Sequence, residues 1–207
     1  NTAVPTVCAI VECGAKPIFV DINENDFLID PKSIENAINS RTVGIMPTHL
    51  NGRTCNMDPI MKIAKEHKLF VVEDAAQALG STFRGRHSGT FGNCGAISFY
   101  PAKVLGSFGD AGAVLTNDQS TYERIYQLHD HGRNIEGEVI SWGRNSRIDN
   151  LQAAFINHKF RKYSEVISRR REIANYYHKN LCHVRSLQLP PPPVENGLHF
   201  DVYQNYE

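Results

Sequence analysis

Leu69-Phe70-Val71-Val72-Glu73-Asp74 is the stretch that decides the fold: four apolar residues in succession, then two acids. A short continuous apolar run with β-branched and aromatic members reads as a strand buried on both faces of a sheet. The acids mark its carboxyl end. Upstream, Lys16-Pro17-Ile18-Phe19-Val20-Asp21 and Val43 to Pro47 are strand candidates. Pro31 opens a predicted helix through Ile34, Ala37 and Ile38, and Asp58-Pro59 is expected to cap another carrying Ile60, Ile63 and Ala64 on one face. Downstream, Ala96-Ile97-Ser98-Phe99 and Gly112-Ala113-Val114-Leu115 flank a glycine-containing segment around Lys103. Strands alternating with helices predict an α/β fold, a mostly parallel sheet with helices on both faces.

Beyond His129 the pattern changes. A polar stretch holding Gly132, Gly137 and Gly143 reads as a loop as far as Asn150. From Asp149 to Leu181, Leu151, Phe155, Tyr163, Val166, Ile167, Ile173 and Tyr177 recur at helical intervals, which predicts one long helix with Arg169-Arg170-Arg171 on its solvated face. Pro190 to Pro193 form a stiff connector, and Phe200-Asp201-Val202-Tyr203 is strand-like. The expected division is 1–148, a large α/β domain, and 149–207, a connecting helix and the start of a small domain. There is no internal repeat, and the glycines at 89–95 and 106–112 lack dinucleotide-fingerprint spacing.

Composition narrows the partners. Lysine plus arginine and aspartate plus glutamate number 22 each, so the chain as a whole offers no basic footprint for nucleic acid and no polybasic membrane patch. Five scattered cysteines without a Cys-x-x-Cys pair argue for free thiols in a reducing compartment and against a metal site. No apolar run reaches membrane-span length, and Asn1-Thr2-Ala3-Val4-Pro5 lacks signal-peptide character. A cytoplasmic location is expected.

In open parallel sheets ligands sit at the carboxyl ends of strands. Asp74 ends one strand, Ser98 lies in another, and Lys103 follows five residues later. A phosphate-bearing aldehyde cofactor gives each group a purpose. The amine condenses with the aldehyde, the aspartate keeps a ring nitrogen protonated, the serine hydroxyl donates to phosphate, and Gln77, one helical turn beyond Asp74, reaches the ring hydroxyl. Singly these residues mean little: Lys103 alone reads as a surface lysine, Asp74 as a helix cap, and His49 as a satisfied structural histidine.

The stretches Val71-Val72-Glu73-Asp74-Ala75-Ala76-Gln77-Ala78-Leu79-Gly80 and Ser98-Phe99-Tyr100-Pro101-Ala102-Lys103 resemble the DegT/DnrJ-type sugar aminotransferases, a branch of the fold-type-I pyridoxal-phosphate enzymes. Gly14 to Asp21, Pro47 to Gly52, Asp130 to Arg133 and Asn145 to Ala154 are similar to further family segments, so the resemblance covers nearly the whole chain. It implies pyridoxal 5'-phosphate as cofactor, Lys103 as the Schiff-base lysine, Asp74 at the pyridine nitrogen, Gln77 near the ring oxygen, Ser98 on the phosphate, and Asn145 reaching the phosphate of a neighbouring subunit in a homodimer. It also implies transfer of an amino group, from glutamate, to a keto group of a nucleotide-linked sugar, in amino-sugar and cell-surface polysaccharide biosynthesis. The family's glycine-threonine phosphate loop falls upstream of Asn1, its small domain finishes beyond Glu207, and its cofactor-stacking aromatic falls at Ala3. Two other readings remain: a sugar dehydratase using the same cofactor, which Lys103 argues against because those enzymes carry histidine there, and a noncatalytic regulatory domain.

Overall fold

The computed structural model describes residues 1–207. A four-stranded sheet forms its centre, built from β1 (Gly44–Ile45), β2 (Phe70–Asp74), β5 (Cys94–Ser98) and β6 (Gly112–Leu115), side by side in that order. β1, β2 and β5 are parallel, and β6 is antiparallel to β5. A second, antiparallel sheet has the order β4 (Arg86–His87), β3 (Thr82–Phe83), β7 (His199–Phe200). Through β7 the last few residues join the first part of the chain, with Thr82 opposite Phe200.

The main core lies under one face of the central sheet. α2 (Pro31–Ala37) and α3 (Met57–His67) bring Ile34, Ile60, Ile63 and Ala64 against Ile45 and Val71. Asp30 caps α2 by accepting from the Lys32 and Ser33 amides, satisfying donors that a first turn leaves unpaired. A second cluster joins Leu105 to Ile156, Tyr163, Ile167 and Val202, so the helices after residue 149 and the C-terminal segment pack on the loop that follows β5.

Several expectations need correcting. The Leu69–Val72 run is not buried on both faces: Val71 is 1% exposed but Phe70 is 49% exposed, the alternation of a strand with one covered face. Lys16–Asp21 forms no strand, because no neighbour pairs with it; only an isolated bridge, Ile22 to Ile29, follows. The long helix from Asp149 is two helices, α5 (Asn150–Phe160) and α6 (Tyr163–Leu181). The break turns Tyr163 inward, where its hydroxyl donates to the Leu79 carbonyl at 2.7 Å. α3 starts after Asn56, two residues before the expected Asp58 cap, and Asp58 pairs with Arg84 instead. Ala75 to Gly80 holds two turns, so Gln77 is not placed by a helix. α1 (Val4–Glu12) and α4 (Gln119–His129) lie in stretches that the sequence reading leaves unassigned. Residues 130–149 are irregular, as expected, with isolated bridges Asp130 to Asn145 and Arg133 to Val139.

Candidate active site

Asp74 on β2 is paired with Ala96 on β5. Paired residues share a face and side chains alternate along a strand, so Asp74 and Ser98, two residues beyond Ala96, share the less covered face of the sheet. Val71 and Glu73 take the opposite, packed face.

Glu73 is fully buried and fully partnered. It accepts from the amides of Gly89, Phe91 and Gly92 at 2.7, 2.6 and 2.6 Å, and from His49 Nε2 at 2.8 Å. Because the Cys55 amide donates to His49 Nδ1, that nitrogen carries no proton, and Nε2 is the donor to Glu73. Burial pushes the Glu73 carboxyl up, but the hydrogen bond from His49, with the backbone donors, more than offsets this and leaves it below the usual range. This anchor holds the 89–92 loop against β2. At Gly92 a side chain is impossible, since a Cβ would stand 2.4 Å from the Val71 carbonyl. His49 is thus a satisfied structural histidine.

Asp74 is held at both ends. Its amide donates to the Pro47 carbonyl and its carbonyl accepts from the His49 amide, each at 2.9 Å. Its Oδ1 accepts from the Ala76 amide at 3.1 Å and its Oδ2 from the Thr6 hydroxyl at 2.6 Å. Gln77 Oε1 accepts from the Asn51 amide at 2.7 Å, which leaves its NH2 end free to donate. Ser98 Oγ accepts from the Tyr100 amide at 3.2 Å, so its hydroxyl proton remains the donor on that edge.

Lys103 sits in a turn closed by its own amide on the Tyr100 carbonyl, 2.9 Å, and by the Ser107 amide on the Phe99 carbonyl, 2.7 Å. Gly106 permits that turn: a Cβ there would lie 2.3 Å from the Pro101 carbonyl. Gln204 brackets the lysine from outside, accepting from the Val104 amide at 2.8 Å and donating to the Ala102 carbonyl at 2.9 Å. Lys159 Nζ donates to the Gly106 carbonyl at 2.6 Å. The Lys103 amine is half-buried and joins none of the ion pairs. Burial pushes its pKa below the ordinary lysine range, and the nearby Asp74 carboxylate opposes this.

The structure therefore brings Asp74, Gln77, Ser98 and Lys103 to one edge of the sheet. Asn145 stands apart: it is exposed, and its Oδ1 accepts from Arg147 Nε at 3.0 Å. Ala3 is the exposed N-cap residue of α1. Thr6 and Gln204 escaped the sequence reading because their partners lie 68 and 100 residues away, and nothing local to either marks it. A half-buried amine free of ion pairs, a held carboxylate and a hydroxyl donor on one edge fit a phosphorylated aldehyde cofactor. No group of three or more His, Cys, Asp or Glu is arranged to hold a metal, and no helix is long and apolar enough to cross a membrane.

The chain belongs to the DegT/DnrJ/EryC1/StrS aminotransferase family, which it matches over residues 1–205. It is 39% identical over 207 residues to the dTDP-3-amino-3,4,6-trideoxy-alpha-D-glucose transaminase of Micromonospora megalomicea subsp. nigra, a match covering 98% of this chain and 55% of the relative. It is 38% identical to a pleiotropic regulatory protein of Geobacillus stearothermophilus, with 97% and 54% covered. Its fold superposes on the crystal structure of S. venezuelae DesV in complex with a ketimine intermediate, with a TM-score of 0.92, 35% identity, and 100% and 55% of the two chains covered. The chain thus spans about half the length of the curated relatives it matches. Its fold is that of the fold-type-I pyridoxal-phosphate aminotransferases, and the aminotransferases of its family depend on that cofactor.

Proposed function

We propose that this chain forms most of the cofactor-binding domain of an aminotransferase that moves an amino group, from glutamate, to a keto group of a nucleotide-linked sugar. The observation that carries the reading is the half-buried Lys103 amine beside Asp74, at the carboxyl ends of neighbouring parallel strands. The dTDP-amino-sugar transaminase named above supports the substrate class.

Bound pyridoxal phosphate supplies an aldehyde that condenses with amines and a ring that accepts electrons. This chain's residues supply the rest. Lys103 Nζ would hold the group, and its free amine would take up and return the proton of the substrate carbon. A lowered pKa suits that task, because a larger fraction of the amine is unprotonated near neutrality. Asp74 would keep the ring nitrogen protonated through its carboxylate, Gln77 would donate from its NH2 end to the ring oxygen, and Ser98 would donate its hydroxyl to the phosphate.

Asn145 serves the phosphate of a neighbouring subunit in a homodimer with shared active sites. In support, its exposed segment carries Trp142, 92% exposed, with Ile135 and Ile140 also uncovered, large apolar side chains of the kind that another protein's surface covers. Residues 1–148 form the large domain and 149–207 lead toward a small one. The enzyme acts in the cytoplasm, in amino-sugar formation for cell-surface polysaccharide.

The test is spectroscopic. Adding glutamate to the holoprotein converts the bound aldehyde to the amine form, and a keto-sugar nucleotide restores it. Borohydride fixes the cofactor on Lys103 and on no other lysine. A protein that binds the cofactor and leaves its spectrum unchanged with glutamate would instead be regulatory, a reading that the Geobacillus relative's name keeps in view.

A further inference from the structure

Three threonine hydroxyls form a chain that ends on Asp74. Thr48 Oγ1 donates to Thr2 Oγ1 at 3.1 Å, Thr2 and Thr6 are 2.7 Å apart, and Thr6 Oγ1 donates to Asp74 Oδ2 at 2.6 Å. The middle bond could run either way on distance alone, but its neighbours fix it. Thr6 spends its only proton on Asp74, so it must accept from Thr2, whose oxygen in turn accepts from Thr48. All three protons point toward the carboxylate.

The far end of the chain returns to its starting point. Thr48 is bridged to Asp74 through the backbone, so the relay closes a ring from the strand edge through α1 and back to the same residue. Aligned hydroxyls polarise one another, which strengthens the last bond beyond an isolated one. α1 has no buried residue, and its other long-range polar contact is the exposed pair of Glu12 with Arg144. The Thr6 bond is therefore the chief polar attachment of α1 to the sheet, made at the site's acid.

We propose that Thr6, backed by Thr2 and Thr48, is a positioning residue that fixes which oxygen lone pairs of Asp74 face the bound ring nitrogen. With Ala76 holding Oδ1 and Thr6 holding Oδ2, the carboxylate cannot rotate, and each oxygen keeps a lone pair for the ring N–H. The proposal rests on the reading of Asp74 as the ring-nitrogen acid.

The experiment compares Thr6→Val, Thr6→Ser, Asp74→Asn and the Thr6→Val/Asp74→Asn double variant in the holoprotein. A charge-assisted hydrogen bond lost at the reacting group predicts that Thr6→Val lowers kcat about ten- to a hundredfold, with KM for the amino donor changed much less. The pH titration of the bound cofactor's absorbance shifts with it. Thr6→Ser restores both, and the double variant is no slower than Asp74→Asn, because Thr6 acts only through Asp74. Without cofactor, the amides of residues 4–12 exchange faster in Thr6→Val than in Thr6→Ser. Should Thr6→Val fail to fold, Thr6→Ala against Thr6→Ser isolates the same oxygen. A Thr6→Val enzyme with unchanged kcat and titration, or losses that multiply in the double variant, overturns the relay. Near-normal turnover of Asp74→Asn overturns the reading of Asp74 itself, so the two failures are told apart.

Discussion

His49 Nε2 donates to Glu73 Oε2 across 2.8 Å, and both side chains are wholly buried. Removing either partner leaves the other short of a hydrogen bond in a place water does not reach. Glu73→Ala would also orphan three backbone N–H groups in the 89–92 loop. The expected cost is about 1–3 kcal/mol for each buried donor left unsatisfied. Urea unfolding of Glu73→Ala measures it; a loss below about 1 kcal/mol would mean that water or a rearranged loop replaces the carboxylate.

The Lys103 amine is pulled in two directions, downward by burial and upward by Asp74. Replacing Asp74 with asparagine removes the upward pull alone. In cofactor-free Asp74→Asn, Lys103 should therefore lose its proton at lower pH than in the wild type, and its labelling by an amine-reactive reagent should rise earlier on the pH axis. An unchanged labelling profile would show that the two groups do not sense each other.

Gln204 holds the lysine turn by two hydrogen bonds. Gln204→Ala removes both, each worth about 1 kcal/mol. The Val104 amide should then exchange about tenfold faster, and turnover should fall while the melting temperature drops by roughly 4–8 °C. Gln204→Glu should restore the Val104 protection in part, since a carboxylate can accept from Val104 but cannot donate to Ala102.

Acid should loosen β7. Burial, with the Arg53 charge adding to it, holds His199 down at about 4, against an ordinary value of 6.5. The unfolded chain thus binds a proton that the folded chain refuses between those pH values. Stability falls as pH drops through that window and is fully present above it. His199→Phe keeps the ring packed on Phe83, whose centroid is 4.9 Å away, and removes the titration. Its melting temperature should depend less on pH between about 4 and 6.5 than that of the wild type.

How much of this was legible in the sequence depended on whether the information was local. β2, β5 and the lysine turn were readable because apolar runs ending in Asp74 and Ser98, and Gly106 after Lys103, are each decided by neighbours in the chain. Lys16–Asp21 carries an equally good strand pattern, yet no strand pairs with it, and pairing is not written in the run itself. The break between α5 and α6 was hidden because apolar periodicity continues across Arg161-Lys162, while the turn is set by Tyr163 finding the Leu79 carbonyl. The same holds for the candidate site. Asp74, Ser98 and Lys103 follow from position on strands and from resemblance, but the groups that aim them, Thr6 and Gln204, depend on contacts across 68 and 100 residues.

The bracket around Lys103 also sets an order of events in the cell. A chain leaves the ribosome N-terminus first and folds as it emerges. The lysine turn and its acid are both complete by residue 107, but β7 and Gln204 come out almost a hundred residues later, and closing so long a loop is slow. During that interval a nascent chain carries the whole catalytic motif with its lysine unlatched. The reactive amine is thus secured by a segment made about a hundred residues after it, and a ribosome that stalls before residue 204 releases a product in which the motif is present and the latch is not.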